Sequence, residues 1–207
     1  VAQHVPPMAG NRRLSESHRV VLGSWPLTGA IASADPRVAT LEALFEHVRG
    51  AGYDGLEQGT HFFRSYFPAG TPDAEVIGRT RLLLARAGLE VPGALYSIAD
   101  SGTPSADLDR PSSVDPAQRV LAFDFADTGL DESLRLALRN DLALGCNYAT
   151  FQLGLPPEHA DTGGLYRTDE AFIATTAERV GRIQRLCFEV GMNFYLETHI
   201  GTVTEDI

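Results

Sequence analysis

Lysine is absent from this 207-residue chain, so all 17 of its basic residues are arginine. Chemistry that needs a lysine amine is thereby excluded: Schiff-base aldolases, enzymes that hold pyridoxal on a lysine, and nucleotide sites built on a phosphate-loop lysine. Positive charge is scarce overall. The 17 bases face 27 acids, for a net charge of −10, and a nucleic-acid binder normally carries a basic face to offset phosphate repulsion. No nucleic-acid partner is expected. Cysteine is almost missing too. Cys146 and Cys187 stand alone in apolar surroundings, without the paired spacing of a zinc site or a disulfide framework, and read as buried reduced thiols in a cytoplasmic protein. No apolar run is long enough to span a bilayer, so no membrane partner is expected either. Residues 1–17 hold Pro6-Pro7 and Arg12-Arg13 but no apolar stretch of a secretory signal, and read as a flexible tail before one domain, 18–207.

Familiar catalytic strings are lacking as well. There is no G-x-S-x-G elbow and no HExxH. Gly50-Ala-Gly-Tyr-Asp-Gly55 matches the dinucleotide pattern G-x-G-x-x-G, but it leaves a helix and enters a strand, whereas a phosphate needs a strand that leads into a helix N-terminus. His4 and His18 belong to the tail region, His47 sits on a helix surface, and His159 is a loop residue with a weak claim to function.

What is present is a regular alternation of strand and helix. Short β-rich apolar runs at 19–24, 53–57, 89–97, 146–153 and 193–196 read as strands. Between them, 36–51, 73–87, 131–144 and a segment capped by Thr168 carry apolar residues at helical spacing, each stopped by glycine. In the first helix these are Val38, Leu41, Leu44, Phe45 and Val48. A helix between every pair of strands implies parallel pairing, in an open doubly wound sheet or an eightfold β/α barrel. The long connections (60–71, 98–129, 154–167) all follow strands and the opposite turns are short, which suits an α/β barrel with elaborate βα loops. Five strands and four helices make that barrel incomplete, and its two unpaired strand edges predict self-association into a homo-oligomer. Residues 98–129 read as a lid, with short structure around 120–125 as the alternative.

Function in either fold sits at the C-terminal strand ends. Glu57 closes the second strand beside a loop carrying His61, Phe62, Phe63, Tyr66 and Phe67; Glu197 and His199 end the last strand on one side of it. A carboxylate and an imidazole at a buried strand end are costly unless paired or metal-bound, which marks Glu197 as the leading functional candidate.

The string Gly191-Met-Asn-Phe-Tyr-Leu-Glu-Thr-His-Ile-Gly-Thr202, with Ala51-Gly-Tyr-Asp-Gly-Leu-Glu57, resembles the xylose-isomerase-like barrel superfamily of sugar-phosphate isomerases and epimerases, inosose dehydratases and the endonuclease IV branch. The resemblance implies a TIM-type (β/α) barrel in which Glu197 is catalytic and is the first carboxylate ligand of a divalent metal ion (Mn, Mg, Co or Zn). It implies that Glu57, His61, Trp25 and His199 contact a sugar. The family's other ligands, an aspartate, a histidine and a glutamate, come from later strands, before which this chain ends. The implied function is a metal-dependent isomerase or epimerase of a sugar, sugar phosphate or cyclitol. An inosose-type dehydratase and a non-catalytic fragment or binding module are the alternatives.

Overall fold

The computed structural model describes residues 20–23, 35–99, 121–153 and 170–197. Six strands form one parallel sheet: β1 (Val21–Leu22), β2 (Gly55–Glu57), β3 (Glu90–Ala99), β4 (Leu121–Asp124), β5 (Tyr148–Leu153) and β6 (Asn193–Leu196). The helices are α1 (Leu41–Gly50), α2 (Thr60–Arg64), α3 (Asp73–Ala87), α4 (Leu130–Leu144) and α5 (Glu170–Val190). The strands run in the order β1-β2-β3-β5-β6, with β4 attached to β3 alone.

Helix boundaries follow local chemistry. Thr40 caps α1 through its hydroxyl, which accepts from Ala43 N at 3.1 Å, while Asp35 caps a 3-10 turn over Pro36–Val38. The expected 36–51 helix is therefore two elements. Gly88 ends α3 in the left-handed conformation at φ 66°, which glycine adopts without steric strain. The start of α5 at Thr168 lies outside the described residues.

The anticipated α1 stripe is buried in full, and Val76, Ile77, Thr80 and Leu84 line the inner face of α3. These helices cover one face of the sheet. In the same core Tyr96 of β3, Phe151 of β5 and Phe194 of β6 stack in a row, with ring centroids 5.1 and 5.5 Å apart. Each aromatic pair adds about 0.5–1.5 kcal/mol to the burial of its rings. Cys146 and Cys187 are buried free thiols in this core.

Two findings concern the connections. In segment 98–129 the alternative to a lid is what forms, since 121–124 are β4, paired with 96–99 of β3, while 100–120 lie outside the described residues. β5 holds the opposite edge of β3 along 93–98, so β2 (at 90–93) and β4 share one edge, end to end. The loop after β2 likewise contains α2, where Phe63 is buried against Phe45 and Phe62 is buried against Phe63. No helix of the described residues is long and apolar enough to cross a membrane.

Candidate functional site at the strand ends

Strand β5 alternates: Ala149, Phe151 and Leu153 are buried in the helix-covered core, whereas Tyr148, Thr150 and Gln152 point to the other face. Its registers with β3 and β6 carry that face across the sheet, pairing Tyr148 with Gly93 and Asn193, and Thr150 with Leu95 and Tyr195. The second face of this parallel sheet is polar along β5, where a sheet covered on both faces would be apolar.

Both carboxylates singled out in the sequence stand on this face and are held by β5. Thr150 Oγ1 donates to Glu57 Oε1 at 2.9 Å across the intervening β3. Gln152 Nε2 donates to Glu197 Oε2 at 3.0 Å from the adjacent strand. The two donors are two residues apart, so the carboxylates are referenced to points about 6.6 Å apart on a single strand. Glu197 is further fixed by its backbone, whose N–H bonds Phe151 O at 3.0 Å.

Tyr148 completes the group around Glu57. Its ring lies over Gly93, where a Cβ would meet Cε2 at 2.0 Å, so the absence of a side chain at 93 makes room for it. Burial, then the nearby Glu57 charge and hydrogen bonding to it, push the phenol up to about 12. Tyr148 is therefore a protonated donor at neutral pH. On its other side it meets Tyr195 edge to face, at 5.4 Å and 88°.

Beneath the corner that leads from Glu57 to His61 lies a carboxylate without a place in the sequence reading. Asp141, in α4 and 3% exposed, accepts from Thr60 N at 2.5 Å and from the Tyr96 hydroxyl. Burial pushes its carboxyl above the usual range while these hydrogen bonds pull it back, and burial with the Asp141 charge raises the Tyr96 phenol.

Of the expected site residues, Glu57 and Glu197 share the β5 face, and His61 lies half-buried on α2 at the same end of the sheet. Trp25 and His199 fall outside the described residues, as does His159. His47 is exposed on α1, as expected of a surface residue. Tyr148, Thr150, Gln152 and Asp141 were missed. The first three carried a signal, since polar residues alternate with Ala149, Phe151 and Leu153. Among the described residues, no three or more His, Cys, Asp or Glu side chains are grouped to hold a metal ion.

No protein-family model matches the chain, and neither does any curated protein. Solved structures do. The chain is similar to the probable 3-DHS dehydratase AsbF, involved in petrobactin synthesis, from Bacillus anthracis, with a TM-score of 0.50 and 18% identity over 90% of this chain and 54% of that one. It also matches a D-psicose 3-epimerase structure determined in the presence of D-fructose, with a TM-score of 0.45 and 18% identity over 86% of this chain and 51% of that one. The chain thus spans about half the length of either neighbour. The parallel β-α order and the first of these likenesses give the chain the α/β fold of a partial β/α barrel, with β4 as a further strand paired to β3.

Proposed function

We propose that the chain belongs to a metal-dependent enzyme that isomerises or epimerises a sugar, sugar phosphate or cyclitol by moving a proton on the carbon next to a carbonyl. The observation that carries this reading is the pair of carboxylates, Glu57 and Glu197, held on one sheet face by Thr150 and Gln152. Isomerisation needs a base at the reacting carbon and hydrogen-bond acceptors that fix the substrate's hydroxyls. Glu197, at the last strand end, takes the role of base. Glu57, with the Thr150 hydroxyl at 2.9 Å and Tyr148 beside it, orients substrate hydroxyls. His61 borders the same end of the sheet, and Trp25 and His199 are proposed sugar contacts on the sequence resemblance alone.

A divalent cation would polarise the carbonyl and stabilise the enediolate. The carboxylate oxygens of Glu197 suit a hard cation, but the described residues supply no group of three ligands, so they do not by themselves form a metal centre. What the chain's own residues do is hold and move the proton and bind the substrate's hydroxyls.

The test is solvent exchange. A panel of ketoses, their phosphates and inososes is incubated with the protein in D2O with Mn, Co or Zn, and deuterium on the carbon beside the carbonyl is followed by NMR. Incorporation that disappears in Glu197→Gln, with the melting temperature kept, supports the reading. No incorporation with any substrate and metal overturns it. So does a Glu197→Gln variant with unchanged metal content and a markedly lower melting temperature, the signature of a structural carboxylate. Exchange accompanied by loss of water would assign the dehydratase chemistry instead.

A further inference from the structure

Helix α2 starts without a cap of its own. Its N-cap residue is Gly59, which has no side chain to accept from the exposed N–H groups, and none of the first-turn residues is acidic. The missing acceptor comes from 81 positions away: Asp141 Oδ1 takes the Thr60 N–H at 2.5 Å. The fit is close, since a Cβ on Gly59 would lie 2.6 Å from Asp141 Oδ2. Tyr96 donates its hydroxyl to the same Oδ2 and so fixes the carboxylate against β3. The neighbouring residue of α4 holds the far end of the same segment. Asn140 Nδ2 donates to Asp73 Oδ2 at 2.7 Å, and Asp73 is also the ion-pair partner of Arg64 at the end of α2. Arg64 in turn donates to Thr71 O at 2.8 Å.

We propose that Asn140 and Asp141 are positioning residues, two consecutive side chains of α4 that clamp the 59–73 segment at both ends and thereby set where His61 stands at the strand ends. Local sequence cannot do this, because the five residues of α2 are too few to form a stable helix unaided. A carboxylate buried to this degree is kept only where its hydrogen bonds are met, and here Thr60 and Tyr96 meet them. The bearing of the clamp on substrate rests on the sugar-isomerase reading. The clamp itself does not, and its test needs no turnover.

The test is NMR of the 207-residue chain, reading amide exchange at Thr60 and the ring signals and titration of His61, the latter assigned by their loss in His61→Gln. Three variants are compared. Asp141→Ala removes the acceptor; Asp141→Asn keeps an acceptor of the same shape; Gly59→Ala leaves α4 intact and drives a methyl group into the carboxylate. Gly59 has φ −83°, which alanine adopts without strain, so only the lost space is at issue. The expected result is that Asp141→Ala and Gly59→Ala speed Thr60 exchange by about tenfold or more and shift the His61 signals, while protection in α1 and α5 is unchanged. Asp141→Asn should stay close to wild type at both reporters. Unchanged Thr60 and His61 in Gly59→Ala would overturn the proposal, as would a rise in exchange spread evenly over the whole core. If Asp141→Ala does not fold, Gly59→Ala alone decides.

Discussion

Replacing Gly93 by alanine tests the arrangement around Glu57 most directly. The new Cβ would lie 2.0 Å from Cε2 and 2.2 Å from Cζ of Tyr148, against about 3.5–4.0 Å for a comfortable carbon contact. The ring must retreat by roughly 1.5 Å, which disturbs the hydrogen bonding between the phenol and Glu57. Overpacking of this kind costs about 1–3 kcal/mol, and for a domain near this size each kcal/mol lowers the melting temperature by about 2–4 °C. A fall of about 2–12 °C is therefore expected. In a Tyr148→Ala background the obstacle is gone. There Gly93→Ala should be neutral, or stabilising by up to about 1 kcal/mol through the stiffer unfolded chain. Urea and thermal unfolding of the four proteins form a double-mutant cycle with an expected coupling of about 1–3 kcal/mol. Equal losses in both backgrounds would refute the reasoning, since the ring would then not be what fills the space over Gly93.

Gly55→Ala should be worse and beyond rescue by any side-chain deletion, because its Cβ would meet the Glu90 carbonyl oxygen of the neighbouring strand at 2.3 Å; a loss of about 3 kcal/mol is expected, and a melting temperature within about 2 °C of wild type would contradict it. The alkaline limb of stability should carry Tyr148. Its folded pKa, about 12, lies above the ordinary 10.0, so its contribution is whole below pH 10 and is lost as the pH rises towards 12. Tyr148→Phe should flatten the fall in the urea midpoint over that range, and an unchanged slope would rule this out. The thiols act earlier: burial pushes Cys187 up to about 12 from 9.0 and Cys146 also upward, so stability begins to fall near pH 9. Both thiols should react with a disulfide reagent at pH 8 only as fast as the protein opens, and an immediate reaction without denaturant would disprove their burial.

The parts of this structure that could be read from sequence are those fixed by local period. Val38, Leu41, Leu44, Phe45 and Val48 repeat at helical spacing, and each is buried in the core. Glu57 and Glu197 were legible because acids that end apolar β-rich runs stand where a parallel sheet places its chemistry. β4 was legible only as the alternative to a lid, since Leu121 to Asp124 is too short to show a period and is a strand because β3 extends far enough to pair with it. Asp141 was hidden for a related reason: in Arg139-Asn140-Asp141-Leu142 it looks like a solvated residue, and only Thr60 and Tyr96, distant in sequence, make it a buried acceptor. The alternation in β5 was visible, but the run was read as one apolar strand and its polar face was passed over.

That both carboxylates take their hydrogen bonds from one strand bears on how accurately they can be kept apart. Were each anchored to its own loop, independent fluctuations of the two anchors would add in quadrature to the distance between them. Anchoring Glu57 to Thr150 and Glu197 to Gln152 makes a sideways excursion of β5 a common-mode displacement that shifts both oxygens together. Only stretching of the strand over two residues, among the stiffest distortions a backbone can undergo, changes their separation directly. The spacing of the pair should thus vary less than the position of either member, as a graduated rule keeps its intervals while it is moved.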